Sequence, residues 1–405
     1  MLYLGIDLHQ KQLTISLRND DGDVILRRQV STRWPKLAEF REQLHRALAV
    51  GEKYVAVVEV CGFHDWLVKW LQQDERCHLV LVVQPLGRTA NKTDRRDANA
   101  LSELLWVNRD RLLRGDRVQG VRIVYLPSAE QQADRYLTQL RERLVRRRTQ
   151  TLNQIHKILR RHNLEWERPT KTFQTRKVTE WLKTMPLDPM DRLAVDHLLV
   201  QWRLWEEQLV ATDNRVAERF LANPDAQLLA TMPGVSMFIA LAIVCRIVPI
   251  GRFPHGRSLA NFLGLTPGSN NSGETERLGS ITKAGSRMVR LLLAQVILHL
   301  LRRDSTVRAW YLRIKRRRGS KIARVAVMRR TAVIMWRMLS TGELWRPGAA
   351  NSETSVESSD PRQACLWRPR RTMLSALSAS AAAVAGSSTG SSSLSPGEEV
   401  TRCPV

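Results

Sequence analysis

The sequence predicts an α/β N-terminal domain, then a long helical, coiled-coil-like middle, then a mainly α-helical C-terminal region. Three observations carry this reading. The first hundred residues alternate short apolar runs with helical spacing, in the order three strands, helix, strand, helix, strand, helix. From Ala129 apolar residues recur at steps of three and four for about thirty residues, the period of one helix face. Beyond Met232, apolar helices flank a loop-rich stretch with glycines at 264, 268, 273, 279 and 285.

Each N-terminal element has a local signal. Residues 2–7 are an apolar run ending on Asp7, and 11–18 alternate with period two. Asn19 to Asp23 is a turn, after which Val24-Ile25-Leu26 resumes as a strand. Pro35 opens a helix carrying Leu37, Phe40, Leu44 and Leu48. Tyr54 to Glu59 is a buried-type strand, Phe63 to Leu71 a helix, Leu79 to Val83 a strand, and a helix starts at Asp94. This order fits a central sheet with helices on its faces better than a fully alternating doubly wound fold. Residues 1–125 form this domain, and 126–225 the helical middle, with a second helix carrying Trp202, Trp205, Leu209, Thr212, Val216 and Phe220. Residues 226–346 form the C-terminal domain. The Ala- and Ser-rich tail, 347–405, has few large apolar residues and is expected to be disordered.

The formal charge is +25, from 64 Lys and Arg against 39 Asp and Glu. Such an excess points to a polyanion, nucleic acid first, because neutralising phosphates releases counterions. No apolar run reaches the ~18 residues of a membrane span. No basic n-region precedes the first strand, so a cytosolic location is expected. The five cysteines are scattered with no Cys-x-x-Cys, which argues against a disulfide framework or a zinc site.

The chemistry concentrates in Lys92-Thr93-Asp94-Arg95-Arg96-Asp97-Ala98. On a helix Asp94 and Asp97 share a face, and two carboxylates aimed at one spot repel unless a hard cation lies between them. An acidic helix start, favoured by the helix dipole, is the alternative reading of this stretch alone. Asp7 and Glu59, each ending an apolar strand, tip the balance toward a four-carboxylate site. Such a site would hold Mg²⁺, with Mn²⁺ as the alternative, for phosphodiester chemistry. Arg88, Lys92, Arg95 and Arg96 would face phosphate. Arg146, Arg147 and Arg148 on the long helix, and the basic run at 313–318 that includes Arg316, Arg317 and Arg318, read as backbone contacts. Met232 to Ser236 has the look of a helix-hairpin-helix turn, in which helix-start N–H groups meet a phosphate.

In element order and acid placement the N-terminal domain resembles the ribonuclease H-like nucleases, in particular their RuvC-type branch. Over residues 1–345 the chain resembles the DEDD transposases of the insertion-sequence family IS110, including its IS1111 branch. The resemblance rests in front on Gly-Ile-Asp at 5–7, the strand ending in Glu59 and Lys-Thr-Asp-Arg-Arg-Asp-Ala at 92–98. Behind, it rests on Met-Pro-Gly-Val at 232–235, Leu-Gly-Leu-Thr-Pro at 263–267, Ser-Gly at 272–273, Gly-Ser-Ile-Thr-Lys-Ala-Gly at 279–285 and the run at 318–327. It implies a site-specific recombinase guided by a structured noncoding RNA that pairs with double-stranded donor and target DNA. It implies Asp7, Glu59, Asp94 and Asp97 as metal ligands and catalytic groups, Lys283 as a phosphate contact, and Ser272 as nucleophile, contributed by another subunit. A homo-oligomer, dimer or tetramer, follows from that sharing. Ser269, Ser280 and Ser286 are neighbours that rank below Ser272 as nucleophile, because Ser272 alone sits in the Ser-Gly position, and Ser236 is a further serine that could take part. A metal-dependent RuvC-type nuclease or Holliday-junction resolvase without serine chemistry is the rival. A non-catalytic nucleic-acid-binding protein, with its carboxylates as remnants, is the third reading.

Overall fold

The computed structural model describes residues 1–85, 94–116, 118, 121–170, 172–173, 175–272 and 275–347, and the side chains at 85, 94–95 and 269–278 lie outside that description. The expected tail lies outside it too, apart from its first residue. The chain divides into two compact units, Met1–Ser128 and Ala129 onward.

In the first unit six strands form one sheet: β1 (Leu2–Leu8), β2 (Gln12–Arg18), β3 (Val24–Ser31), β4 (Tyr54–Glu59), β5 (Cys77–Pro85) and β6 (Val121–Ile123). Their order is β3-β2-β1-β4-β5-β6. The β1–β2 and β2–β3 pairs are antiparallel, β1–β4 and β4–β5 are parallel, and β5–β6 is antiparallel. Strands β1 and β4 lie at the centre, which explains their unbroken apolar runs: both faces are covered. Helices α1 (Trp34–Ala47) and α2 (Asp65–Gln72) cover one face through Leu37, Phe40, Leu44, Leu67 and Leu71, against Leu4, Ile6, Ala56 and Val58. Helices α3 (Asp94–Val107) and α4 (Arg109–Leu113) cover the other through Leu101, Leu105 and Leu112, against Tyr3, Val55 and Val57. Side chains alternate across a strand, so odd-numbered residues of β1 and β4 face α3.

A buried polar network closes the end of the sheet where β4 begins. Asp74 is 6 % exposed and accepts from Tyr54 Oη at 2.9 Å and from the backbone N–H of Arg76 at 3.0 Å; His45 Nε2 lies 2.9 Å from both of its oxygens.

The second unit begins with α5 (Ala129–Arg161) and, after the short α6 (Arg176–Thr184), continues into α7 (Pro189–Leu221). Three cross-pairs set an antiparallel alignment of α5 and α7: Asp134 with Arg219, Arg141 with Asp213, and Arg148 with Glu206. Sequence periodicity places the second helix correctly but starts it at Trp202; it begins thirteen residues earlier, behind Pro189 at a helix-starting position. The remaining core is helical: α8 (Pro224–Ala230), α9 (Met237–Ile247), α10 (Gly256–Phe262), α11 (Arg287–Arg303) and α12 (Ser305–Thr341), the last broken at Gly319. Part of the stretch expected to be loop is a hairpin, β7 (Pro267–Ser272) with β8 (Thr275–Ile281). Among the described residues, no helix is long and apolar enough to cross a membrane.

Candidate active site

The register of β1 on β4 places Ile6 beside Val58, so Asp7 and Glu59 follow one residue later on adjacent strands. Both are odd-numbered and therefore on the α3 face. Asp7 is 8 % exposed and Glu59 is half-buried. Helix α3 lies close over β1 at this level. A Cβ on Gly5 would come within 2.4 Å of both the Ala98 carbonyl oxygen and the Ser102 nitrogen, so only glycine admits the helix backbone here. Half-buried Asp97 is the residue just before Ala98 on this helix.

Hydrogen bonds from β2 hold the helix in place: Ser102 Oγ donates to Ser16 Oγ at 3.0 Å, and Arg18 donates to Ser102 Oγ and Asn99 Oδ1, both at 3.2 Å. The sequence reading missed these groups, whose only signal was small and polar residues in otherwise apolar elements. It also missed His9, whose Nε2 lies 3.1 Å from Asp7 Oδ2.

Burial pushes the Cys61 thiol pKa up, and the charges of Asp7, Glu59 and Asp65 push it further the same way. Carboxylate oxygens in a negative, partly desolvated setting suit a hard divalent cation. The described side chains that bring three ligand atoms within 4.8 Å of one another are a different set, His162, Asp188 and Asp191. There Asp191 already accepts from Arg161 and His162, an ion-paired start to α7.

The other expected site residues fall as follows. Asp94 and Arg95 are placed by backbone alone at the start of α3, Arg96 is exposed on it, and Arg88 and Lys92 lie outside the described residues. Ser272 is placed by backbone as the last residue of β7, opposite Thr275. Ser269 is likewise placed by backbone, opposite Leu278. Lys283 is exposed at a positive φ of 54°, and Ser236 caps α9 by accepting from the Ile239 N–H. Arg146 pairs with Glu142 at 2.6 Å, Arg147 stacks 5.5 Å from the Trp205 ring, and Arg148 pairs with Glu206 at 3.1 Å. Arg316, Arg317 and Arg318 are exposed on α12, just before its break.

The sheet order and the acids at its strand ends are consistent with a ribonuclease H-like DEDD domain. Two family models match the chain: the DEDD transposase model of IS110, described as "Transposase", over residues 4–164, and "Transposase IS116/IS110/IS902 family" over residues 226–312. The transposase for insertion sequence element IS1111A of Coxiella burnetii is 28 % identical over 354 residues, covering 85 % of this chain and 92 % of that protein. A probable family 20 transposase of Pseudomonas aeruginosa is 25 % identical over 355 residues, covering 85 % and 98 %. The transposase for insertion sequence element IS1328 of Yersinia enterocolitica is 23 % identical over 354 residues, covering 84 % and 98 %. The chain belongs to the IS110 family of transposases, and is an enzyme of that class.

Proposed function

We propose that the protein is an RNA-guided, site-specific DNA recombinase that breaks and rejoins strands through Ser272. The observation that carries the reading is that Asp7 and Glu59 each come one residue after the Ile6–Val58 pair of adjacent central strands, on the sheet face packed against the helix that bears Asp97. Asp7, Glu59, Asp94 and Asp97 would hold Mg²⁺, or Mn²⁺ in its place. When bound, the ion would polarise a phosphoryl oxygen and stabilise developing negative charge.

The remaining steps belong to the protein's own residues. Ser272 Oγ attacks phosphorus, forming an Oγ–P bond as the bond from phosphorus to the leaving deoxyribose oxygen breaks; the serine proton passes to that oxygen. Attack by a second deoxyribose hydroxyl on the phosphoserine reverses the step, restoring serine and sealing the new strand. The bond energy is kept in the ester, so no nucleotide cofactor is consumed. A serine hydroxyl is weak at its free pKa and needs activation, which ties Ser272 to the carboxylates and, with Ser272 supplied by another copy, to a dimer or tetramer. The domain division at 125, 225 and 346 expresses the same reading: carboxylate domain, coiled-coil spacer, serine domain.

The excess of positive charge supports nucleic-acid partners, double-stranded donor and target DNA together with a structured noncoding RNA. Lys283, Arg316, Arg317, Arg318, Arg146, Arg147 and Arg148, with Arg88, Lys92, Arg95 and Arg96 beside the carboxylates, would contact backbone. Sequence choice would reside in RNA pairing, a division of labour the Cas9-type effectors also use. The test is to sequence RNA that copurifies with the protein and to assay recombination between plasmids matching it. Recombination that requires that RNA and is stopped by EDTA is expected. Recombination that survives ribonuclease treatment removes the guide, and breakage without rejoining favours a RuvC-type nuclease.

A further inference from the structure

Among the described basic residues of the second unit, Arg246 is the one that is buried. It lies on α9 and is 8 % exposed. Its Nη1 is fully engaged, donating to the Ala242 carbonyl at 2.7 Å and Thr138 Oγ1 at 3.0 Å, and lying 3.1 Å from Cys245 Sγ. Its Nη2 is buried with no hydrogen-bond partner, and no carboxylate of the described residues pairs with the guanidinium. The contrast is local: Arg219, which also meets α5, is matched by buried Asp134 at 2.7 Å. A buried charged donor left unmatched is costly, and native cores rarely keep one without a use.

Arg246 lines a cavity of about 270 Å³ walled by α5, α9 and the start of α11. That volume falls just short of the ~300–1,000 Å³ of small-molecule pockets. Arg143 and Arg146 on α5 line it from the exposed side, and Glu142, the one acid in the wall, is held by Arg146 at 2.6 Å. Ser286 also lines it, and caps the 17-residue helix α11 by accepting from the Val289 N–H. The first N–H groups of a helix point outward and carry partial positive charge, an arrangement suited to an anion. The loop before it is rigidly set. Gly285 has no room for a side chain, since a Cβ would lie 2.0 Å from the Phe262 carbonyl oxygen, and Arg290 donates to the carbonyls of Gly285 at 2.6 Å and Leu263 at 3.2 Å.

We infer that this cavity is a seat for one phosphate group, in which the start of α11, Arg143 and Arg146 meet the non-bridging oxygens and the buried, unmatched charge of Arg246 in the wall adds to the attraction. The ligand class is a nucleic-acid phosphodiester, DNA or RNA; this rests on the nucleic-acid reading above.

The test uses the full chain and an Arg246→Met variant, which fills similar volume without charge. Binding to a mixed-sequence 30-base-pair DNA duplex and to a mixed-sequence hairpin RNA is followed from about 0.05 to 0.3 M salt. Thermal melting with and without inorganic phosphate is measured alongside. For the nucleic acid that uses the seat, R246M is expected to bind about tenfold more weakly or worse. Its log–log salt slope should fall by about 0.9 for duplex DNA or about 0.7 for a single-stranded contact, and the other nucleic acid should be unaffected. Phosphate should raise the melting temperature of the wild type and not of R246M. Unchanged affinity and slope for both nucleic acids overturn the seat, as they would if Arg246 merely holds an ordered water. If the wild type binds neither nucleic acid yet shows a phosphate shift that R246M lacks, the seat stands and the nucleic-acid reading falls. Should R246M not fold, the exposed pair Arg143→Gln and Arg146→Gln reads the same seat from its rim, and an unchanged slope in that variant rejects it.

Discussion

Glu59 ends one of the two central strands of a six-stranded sheet and Asp7 lies one residue before the end of the other, whereas Ser272 ends one strand of a two-stranded hairpin. The difference follows from what each group needs. Two carboxylates brought side by side repel, and only a scaffold buried on both faces can hold them there without yielding. Strands β1 and β4 are such a scaffold, with core on either side. A two-stranded hairpin buries little and is marginal by itself. It suits a nucleophile that has to meet a large polyanion and then release it. The proposed chemistry thus divides into a preset acid cluster and a serine presented on a lighter element.

The sharpest way to break that comparison is to neutralise the acids one at a time. Asp7→Asn and Glu59→Gln keep shape and remove charge, so each should lower strand breakage by several orders of magnitude while the melting temperature holds or rises, since repulsion is relieved. Single-turnover cleavage and calorimetry on the same samples check this. If activity survives either change, the acids are not a joint site.

A smaller effect tests whether placement of α3 matters as much as the acids themselves. Gly5→Ala drives a methyl group into the backbone at Ala98 and Ser102. It should cost about 1–3 kcal/mol of stability and depress activity, because Asp97 moves with the helix. Denaturant unfolding with a parallel activity assay separates the two. Full activity alongside lost stability would mean that Asp97 needs no exact position.

The smallest effect lies at the far end of β4. Burial acts to raise the Asp74 carboxyl pKa, but hydrogen bonds from His45, the Arg76 N–H and Tyr54 outweigh it and hold the group below the usual carboxylate value. A depressed folded pKa contributes stability above the unfolded value of ~3.9, and that stability is lost as pH falls through the folded value. Asp74→Asn should therefore cost roughly 1–3 kcal/mol at neutral pH and flatten the loss of stability on acidification. Thermal melts from pH 7 down to pH 3 report both, and activity per folded molecule at pH 7 should not change.

Much of the first unit was legible because its strands are continuous apolar runs, and because a charge at the end of such a run is costly unless a partner or an ion meets it. Strand β6 and helix α4 escaped because three and five residues are too few to show a period. The hairpin β7–β8 escaped for a different reason: Gly-Ser-Asn-Asn-Ser carries turn residues, and its pairing comes from backbone hydrogen bonds that composition does not reveal. Helix α6 was hidden in a polar, proline-marked stretch and is fixed instead by Val178 and Leu182 packing on α5 and α7 residues. Arg246 was invisible as well, because one arginine among 64 basic residues has no signal until its burial is known.

The most direct measurement is to trap the protein on supercoiled DNA carrying its target with Mg²⁺, denature it, and map any protein–DNA adduct by peptide mass spectrometry. The account predicts an adduct on Ser272 that is lost in Ser272→Ala and Asp7→Asn alike. An adduct persisting in Ser272→Ala, or efficient strand exchange by that variant, would contradict it.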